Sequence, residues 1–258
     1  MNAGTREKAG YILLAAVILL AIILVMLQAP VPQDVRYHRF ADTRTIWSVG
    51  NFWNVISNIP FLIVGLLGLY KLVFSSSLRI LNALRPAYIL FFTGVSLITF
   101  GSGYYHLFPD NDSLLWDRLP MTVGFMSFFA ILLGEFVSVR FGKSAFFPLV
   151  IAGIASVVYW HLTERQGEGD LRFYALVQFT PMLLIPVVLL CFRSRYTHVN
   201  GFWYLFIAYA IAKLFEYFDV AVFNLTGLIS GHSIKHIVSA LGIYMLLHSF
   251  ESREERVR

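Results

Sequence analysis

Long apolar runs separated by shorter polar stretches dominate the chain: residues 11–28, about 53–73, 87–106, 120–139, 145–161, 174–192, 201–218 and 232–249. Each is near the roughly 17–25 residues that a tilted helix needs to cross a bilayer. The pattern predicts an all-α, polytopic membrane helix bundle: a seven-transmembrane core plus one extra N-terminal transmembrane helix. The run at 145–161 is the weakest, being short and ending in polar residues. The longest polar connection, roughly 29–51, divides the first helix from the rest. The expected organisation is therefore an anchor helix and connecting loop over 1–50, a core over 51–249 and a tail over 250–258. The first run follows MNAGTREK and is longer than the apolar region of a cleaved signal. Pro30 directly follows its only plausible small cleavage residue, Ala29, so it reads as an uncleaved anchor.

Composition removes the soluble alternatives. With 58% hydrophobic and only 14% charged residues, and a mean hydropathy of +0.69, a soluble domain could not hide the apolar surface. Charge then sets orientation. Twelve Lys and Arg fall at one set of helix ends, among them Arg6, Lys8, Arg79, Arg140, Arg253 and Arg258, against seven at the other. The first side reads as cytoplasmic, with both termini on it. The other side holds nine of the fifteen acids. A pI near 9.3 is explained by membrane-surface charge, and no basic stretch interleaved with aromatics suggests nucleic-acid binding. The single cysteine, Cys191, lies inside a run and excludes an internal disulfide framework and a thiolate metal cluster.

Ionisable groups within a bilayer are costly unless paired, hydrated or metal-bound, so each marks a candidate site. The third run ends GSGYYH, placing Ser102 and His106 four residues apart on one helix face. Asp117 is expected in a short loop just before Pro120 opens the next helix. The last run begins with His232 and His236, again four apart. Five polar groups from three helix ends on the outer side can therefore converge at one depth. Three neutral imidazoles are a common ligand set for a catalytic zinc, and without thiolates zinc is the best guess among metals. Ser102 has a second reading as a small residue for close helix packing. Glu216 and Asp219 are expected to hydrogen-bond the far nitrogen of a ligating His; for Glu216 an ion pair with Lys213 is an equal alternative. Lys235 is expected to turn away towards the headgroups. His161, His198 and His248 lack partners at helical spacing and read as interfacial.

SxxxH on one helix, Asp eleven positions after that His, and HxxxH on the last helix together resemble the alkaline ceramidase family. That family lies within the group of seven-helix membrane hydrolases that includes adiponectin-type receptors. The match is carried by Ser102, His106, Asp117 within WDRLPM, His232 and His236, and NFWNVISN at 51–58 looks like the start of the first core helix. Short loops and a compact chain look more like bacterial members than animal ones, which would place the protein in a bacterial inner membrane with its site towards the outer face. The resemblance implies zinc-dependent hydrolysis of the linear amide of an N-acyl sphingoid lipid such as ceramide. Zinc would sit on His106, His232 and His236, Asp117 would transfer the proton and Ser102 would donate to the oxyanion. Eukaryotic members bind calcium through an acidic segment before the first core helix. Here that segment offers only Asp34, Asp42 and Asn51, too few carboxylates for more than weak binding. A zinc-containing lipid receptor or sensor without turnover remains the alternative. Gly65 and Gly68 could pack helices within the bundle or between chains, leaving the oligomeric state open.

Overall fold

The computed structural model describes residues 3–75 and 77–256; Arg258, counted above on the cytoplasmic side, lies outside the described residues. The α-helices follow in order: α1 (Ala3–Met26), α2 (Phe52–Ile56), α3 (Ile59–Tyr70), α4 (Arg85–Leu107), α5 (Asn111–Phe136), α6 (Val139–Arg165), α7 (Arg172–Cys191), α8 (Asn200–Tyr217), α9 (Asp219–Thr226) and α10 (Gly231–Ser252). Among the described residues there is no strand, and the architecture is an all-α membrane bundle. Six stretches are long and apolar enough to cross a membrane: Gly4–Met26, Phe52–Ser75, Asn82–Leu107, Asn111–Phe136, Val139–Arg165 and Arg172–Cys191. The other two long helices, α8 and α10, pack along each other and carry several polar groups, Lys213, Glu216, His232, Lys235 and His236 among them.

Local chemistry moves several expected boundaries. The run expected at 53–73 is broken at Ser57 and Asn58, with Pro60 in the first turn of α3. Helix α5 starts at Asn111, well before the expected residue 120. The Asp110 carboxylate accepts from the Ser113 backbone N–H at 2.6 Å while the Ser113 hydroxyl accepts from the Asp110 N–H at 3.1 Å, a reciprocal cap that nucleates the helix early. Pro120 therefore sits inside α5 rather than at its start, and Asp117 lies on the helix, not in a loop. A proline frees the carbonyl four residues before it, here that of Trp116. Gly101 of α4 fills the gap: a Cβ at Gly101 would stand 2.0 Å from that oxygen. Helix α6 extends well beyond the weak run at 145–161, and α9 has no counterpart among the expected elements.

Helix α5 is the most buried of the six spans, packed between α4 and α6. Small residues let the backbones meet: a Cβ on Gly94 would lie 2.8 Å from the Gly124 nitrogen, and one on Gly142 would lie 2.5 Å from the Gly134 Cα. Gly65 and Gly68 face Ser96 and Phe92 of α4, so their packing is within the bundle. Helix α1 lies outside it against α7, with Tyr11 edge-on to Phe192 at 5.0 Å and a broad apolar surface facing outward.

The end of the bundle opposite the histidines is closed by one polar knot. Arg253, just past α10, forks onto both oxygens of Glu135 at 2.7 Å, and neither side chain is exposed. Tyr88 donates to the same carboxylate, Arg253 Nε donates to the Arg79 carbonyl at 2.8 Å, and the guanidinium lies between the rings of Tyr196 and Phe250. Removing one member leaves a buried charge unmatched. Arg253→Ala is expected to destabilise the bundle by about 3–5 kcal/mol, whereas Arg253→Met paired with Glu135→Leu should cost much less; thermal unfolding of the purified variants in detergent checks the difference.

Candidate functional site

At the other end, the last turn of α4 and the first two turns of α10 bring three histidines together. Helix α10 is capped by Ser230, whose hydroxyl accepts from the Ser233 N–H at 3.2 Å. Gly231 lets that start press on α8, since a Cβ there would lie 2.2 Å from the Phe215 carbonyl oxygen. Asp219 at the start of α9 ties the corner, accepting from the His232 backbone N–H at 2.7 Å and from the Ala41 N–H at 2.9 Å. The rings of His106, His232 and His236 form a near-equilateral triangle with centroids 4.9, 5.0 and 5.2 Å apart. One ring nitrogen from each lies within 4.8 Å of the others. All three are buried, and Phe40 from the outer connection lies edge-on over His106 and His232.

Hydrogen bonding around the rings is incomplete in an informative way. His236 Nδ1 pairs with the Ser57 hydroxyl at 2.8 Å, which orients that ring and leaves its Nε2 free of that bond. His106 Nδ1 and His232 Nε2 are buried with no hydrogen-bond partner. A polar group buried without a partner costs about 1–3 kcal/mol. Nitrogen lone pairs aimed at a common point are what a metal requires, and a set of three imidazoles with no thiolate suits zinc. The residues present therefore fit the ion.

The supporting partners match the expectation in part. Of the two readings for Glu216 the ion pair holds: it touches no imidazole nitrogen, and its two oxygens take Lys213 at 2.5 Å and Lys235 at 2.6 Å. Asp219 holds the His232 backbone rather than its ring. The group on an imidazole nitrogen is Ser57, which sequence reasoning missed, because which small polar residue meets a ring of another helix depends on how the break between α2 and α3 packs against α10. Lys235 turns inward to Glu216 instead of out to the headgroups, because a carboxylate from α8 stands within reach at the same depth. His161 does have a neighbour, Asp112, at 3.6 Å.

Asp117 and Ser102 come to the same place. Both line, with the three histidines, one cavity of about 290 Å³. Its polar head is at the histidine end. Its walls continue inward past Ile98, Val95 and Phe91 of α4, Phe125 of α5, Met182 of α7 and Ile243 of α10. Phe91 lies fifteen residues before His106, so the apolar part runs about 22 Å along the helix axis.

The connection at 27–51 is folded over this head and bonded to it. His38 bridges the Tyr105 hydroxyl at 3.0 Å and Asn111 at 2.9 Å, and Asn51 donates to the His106 carbonyl at 2.8 Å. Of the oxygen donors considered for calcium, Asp34 is held by Arg36 at 2.7 Å and Asp42 by Arg44 at 2.6 Å, while Asn51 is engaged at His106. Burial alone would raise the Asp42 carboxyl, but hydrogen bonds from the Arg44 side chain and backbone outweigh it and hold the group below its usual range.

The fold and the site define an all-α membrane protein with a buried three-histidine cluster, able to hold a metal ion, at the head of a long apolar cavity. A family model described as Ceramidase matches residues 41–254, and the chain belongs to that family, whose members are amide hydrolases of ceramide. No curated protein matches it. The match begins after α1 and after Gln33, Tyr37 and Phe40 of the outer connection.

Two measurements follow from this geometry. Ser57→Ala should leave the helix bundle folded and weaken metal retention by about 10- to 100-fold, read by metal content after dialysis against a graded chelator. The Asp42–Arg44 clamp, whose carboxyl is lowered in the folded state, contributes fully above about pH 4 and is lost as pH falls through the Asp42 value. Protection of the amides in residues 41–46, relative to their intrinsic exchange rate at each pH, should therefore fall on acidification below that point, and Asp42→Asn should show the low protection at every pH.

Proposed function

We propose that the chain is a zinc-dependent intramembrane amidase that cleaves the N-acyl bond of ceramide-like lipids, giving a sphingoid base and a fatty acid. The observation that carries this reading is the pair of orphaned nitrogens, His106 Nδ1 and His232 Nε2, in residues that line one apolar cavity together with Asp117 and Ser102. His106, His232 and His236 would hold the ion. Zinc there supplies Lewis acidity, polarising a carbonyl and acidifying water.

The chain's own residues account for the remaining work. The apolar walls take the acyl chain inward and leave the amide at the polar head. Asp117 accepts a proton as water attacks the carbonyl carbon and returns it to the leaving nitrogen as the C–N bond breaks. Once Asp117 is protonated, the Ser102 hydroxyl can turn to donate to the developing oxyanion. Ser102 is not assigned as a nucleophile, because its neighbour His106 is committed to the metal and cannot serve as its base. Phe40 and the folded outer connection limit water at the head, so proton transfer is confined to the groups lining it.

The excess of Lys and Arg at the end carrying Arg79, Arg140 and Arg253 supports a site facing away from the cytoplasm, with both termini cytoplasmic. Residues 51–249 then form the catalytic core and α1 an accessory anchor.

Asp117→Ala is expected to retain about one zinc per chain and lose fatty-acid release from N-palmitoylsphingosine by about 10²-fold or more. Metal content and fatty-acid release from wild type and variant are measured side by side. Zinc in both proteins with hydrolysis in neither would move the assignment to a zinc-containing lipid receptor, and zinc in neither would remove the mechanism.

A further inference from the structure

The cavity head contains a cation that the amidase chemistry does not use. Three cationic side chains line the cavity, Arg118, Lys213 and Lys235, against two carboxylates, Asp117 and Glu216. Both lysines are matched by Glu216. Arg118 is 5% exposed and, among the described residues, forms no ion pair. Its Nη2 donates to Gln33 Oε1 at 2.6 Å, and its Nη1 is buried with no partner. The guanidinium is stacked 4.1 Å from the Trp160 ring centroid and 4.5 Å from that of Tyr174.

Aromatic faces offset part of the cost of burying this charge, but they do not satisfy an N–H. A buried cation without a carboxylate is strongly disfavoured. An arginine over the Trp160 and Tyr174 rings, with Nη1 left without a partner, is arranged for a planar or tetrahedral oxyanion. Its position selects which part of a ligand that would be. Gln33 comes from the outer connection, Trp160 from the outer end of α6 and Tyr174 from the first turn of α7. Arg118 therefore stands at the outer head of the cavity, beside Asp117 and away from the apolar walls. With the scissile amide at the histidines and the acyl chain running inward, the amine-side substituent is the part left at this end.

We propose that Arg118 is the anion-binding subsite of this cavity, and that the preferred ligand is an N-acyl lipid bearing a carboxylate or phosphate on its amine side. The position of the amide rests on the amidase reading; the anion subsite itself can be tested without turnover.

The test uses the purified full chain in neutral detergent and three lipids: N-palmitoylsphingosine (neutral), N-palmitoylglycine (carboxylate) and ceramide 1-phosphate (phosphate). Binding is followed by tryptophan emission, to which Trp160 against Arg118 contributes, and fatty-acid release is measured in parallel. Wild type should bind at least one anionic lipid about tenfold or more tightly than the neutral one. Arg118→Gln should remove that preference, an effect of about 10- to 100-fold, while neutral-lipid binding stays nearly unchanged. Gln33→Glu, which keeps the arginine but places a carboxylate against it, should do the same and decides the matter if Arg118→Gln does not fold. The two anionic lipids distinguish carboxylate from phosphate.

Equal loss for neutral and anionic lipids in the variants would show that Arg118 only braces the packing and would overturn the proposal, as would a wild type with no anionic preference. Selective binding without hydrolysis of any lipid would leave the subsite standing and sink the amidase assignment instead.

Discussion

Polar atoms removed from water must find partners, and in this bundle that requirement shapes both ends. At the histidine end it is met in part by caps and tethers. Two imidazole nitrogens remain without a hydrogen-bond partner among the protein groups. At the opposite end Glu135, Arg253 and Tyr88 satisfy one another. Between the two ends the helices have little polar work to do and pack through glycines and apolar side chains.

Helix α5 shows how one sequence feature propagates into the site. The Asp110–Ser113 cap starts the helix early, which puts Asp117 on a rigid element rather than in a loop. Pro120 then loosens the Trp116 carbonyl, and Gly101 lets α4 press against it. That contact brings Ser102, the neighbour of Gly101, into the same cavity as Asp117. The same register places Arg118, one residue on, against Trp160 and Tyr174. A single close approach of two backbones thus sets the positions of a carboxylate, a hydroxyl and a buried cation.

The connection at 27–51 is part of the site as well as a link to α1. Phe40 covers two histidines, Asn51 holds the His106 carbonyl, and Gln33 reaches Arg118. These contacts fold the connection over the cavity head and tie it to α6 and α7 through Gln33–Glu164 and Leu171–Val31. Covering a polar group strengthens each electrostatic interaction it makes, so the connection shapes the surroundings of residues it does not itself supply.

Sequence alone determined the helical membrane architecture, because crossing hydrocarbon demands long apolar runs and those are visible without any contact. It also determined two pairs, Ser102 with His106 and His232 with His236, since SxxxH and HxxxH place their members on single helix faces by the helical repeat; the meeting of the two pairs is a matter of packing. Only the tertiary structure decided who serves those histidines. Ser57 rather than Glu216 meets a ring nitrogen, Lys235 turns inward, and Arg118 lies unmatched between two aromatic rings. Such partnerships depend on the depth and lean of helices distant in the chain. Spacing within one helix carries that information along its own axis, but side-chain pairing across helices is set by packing.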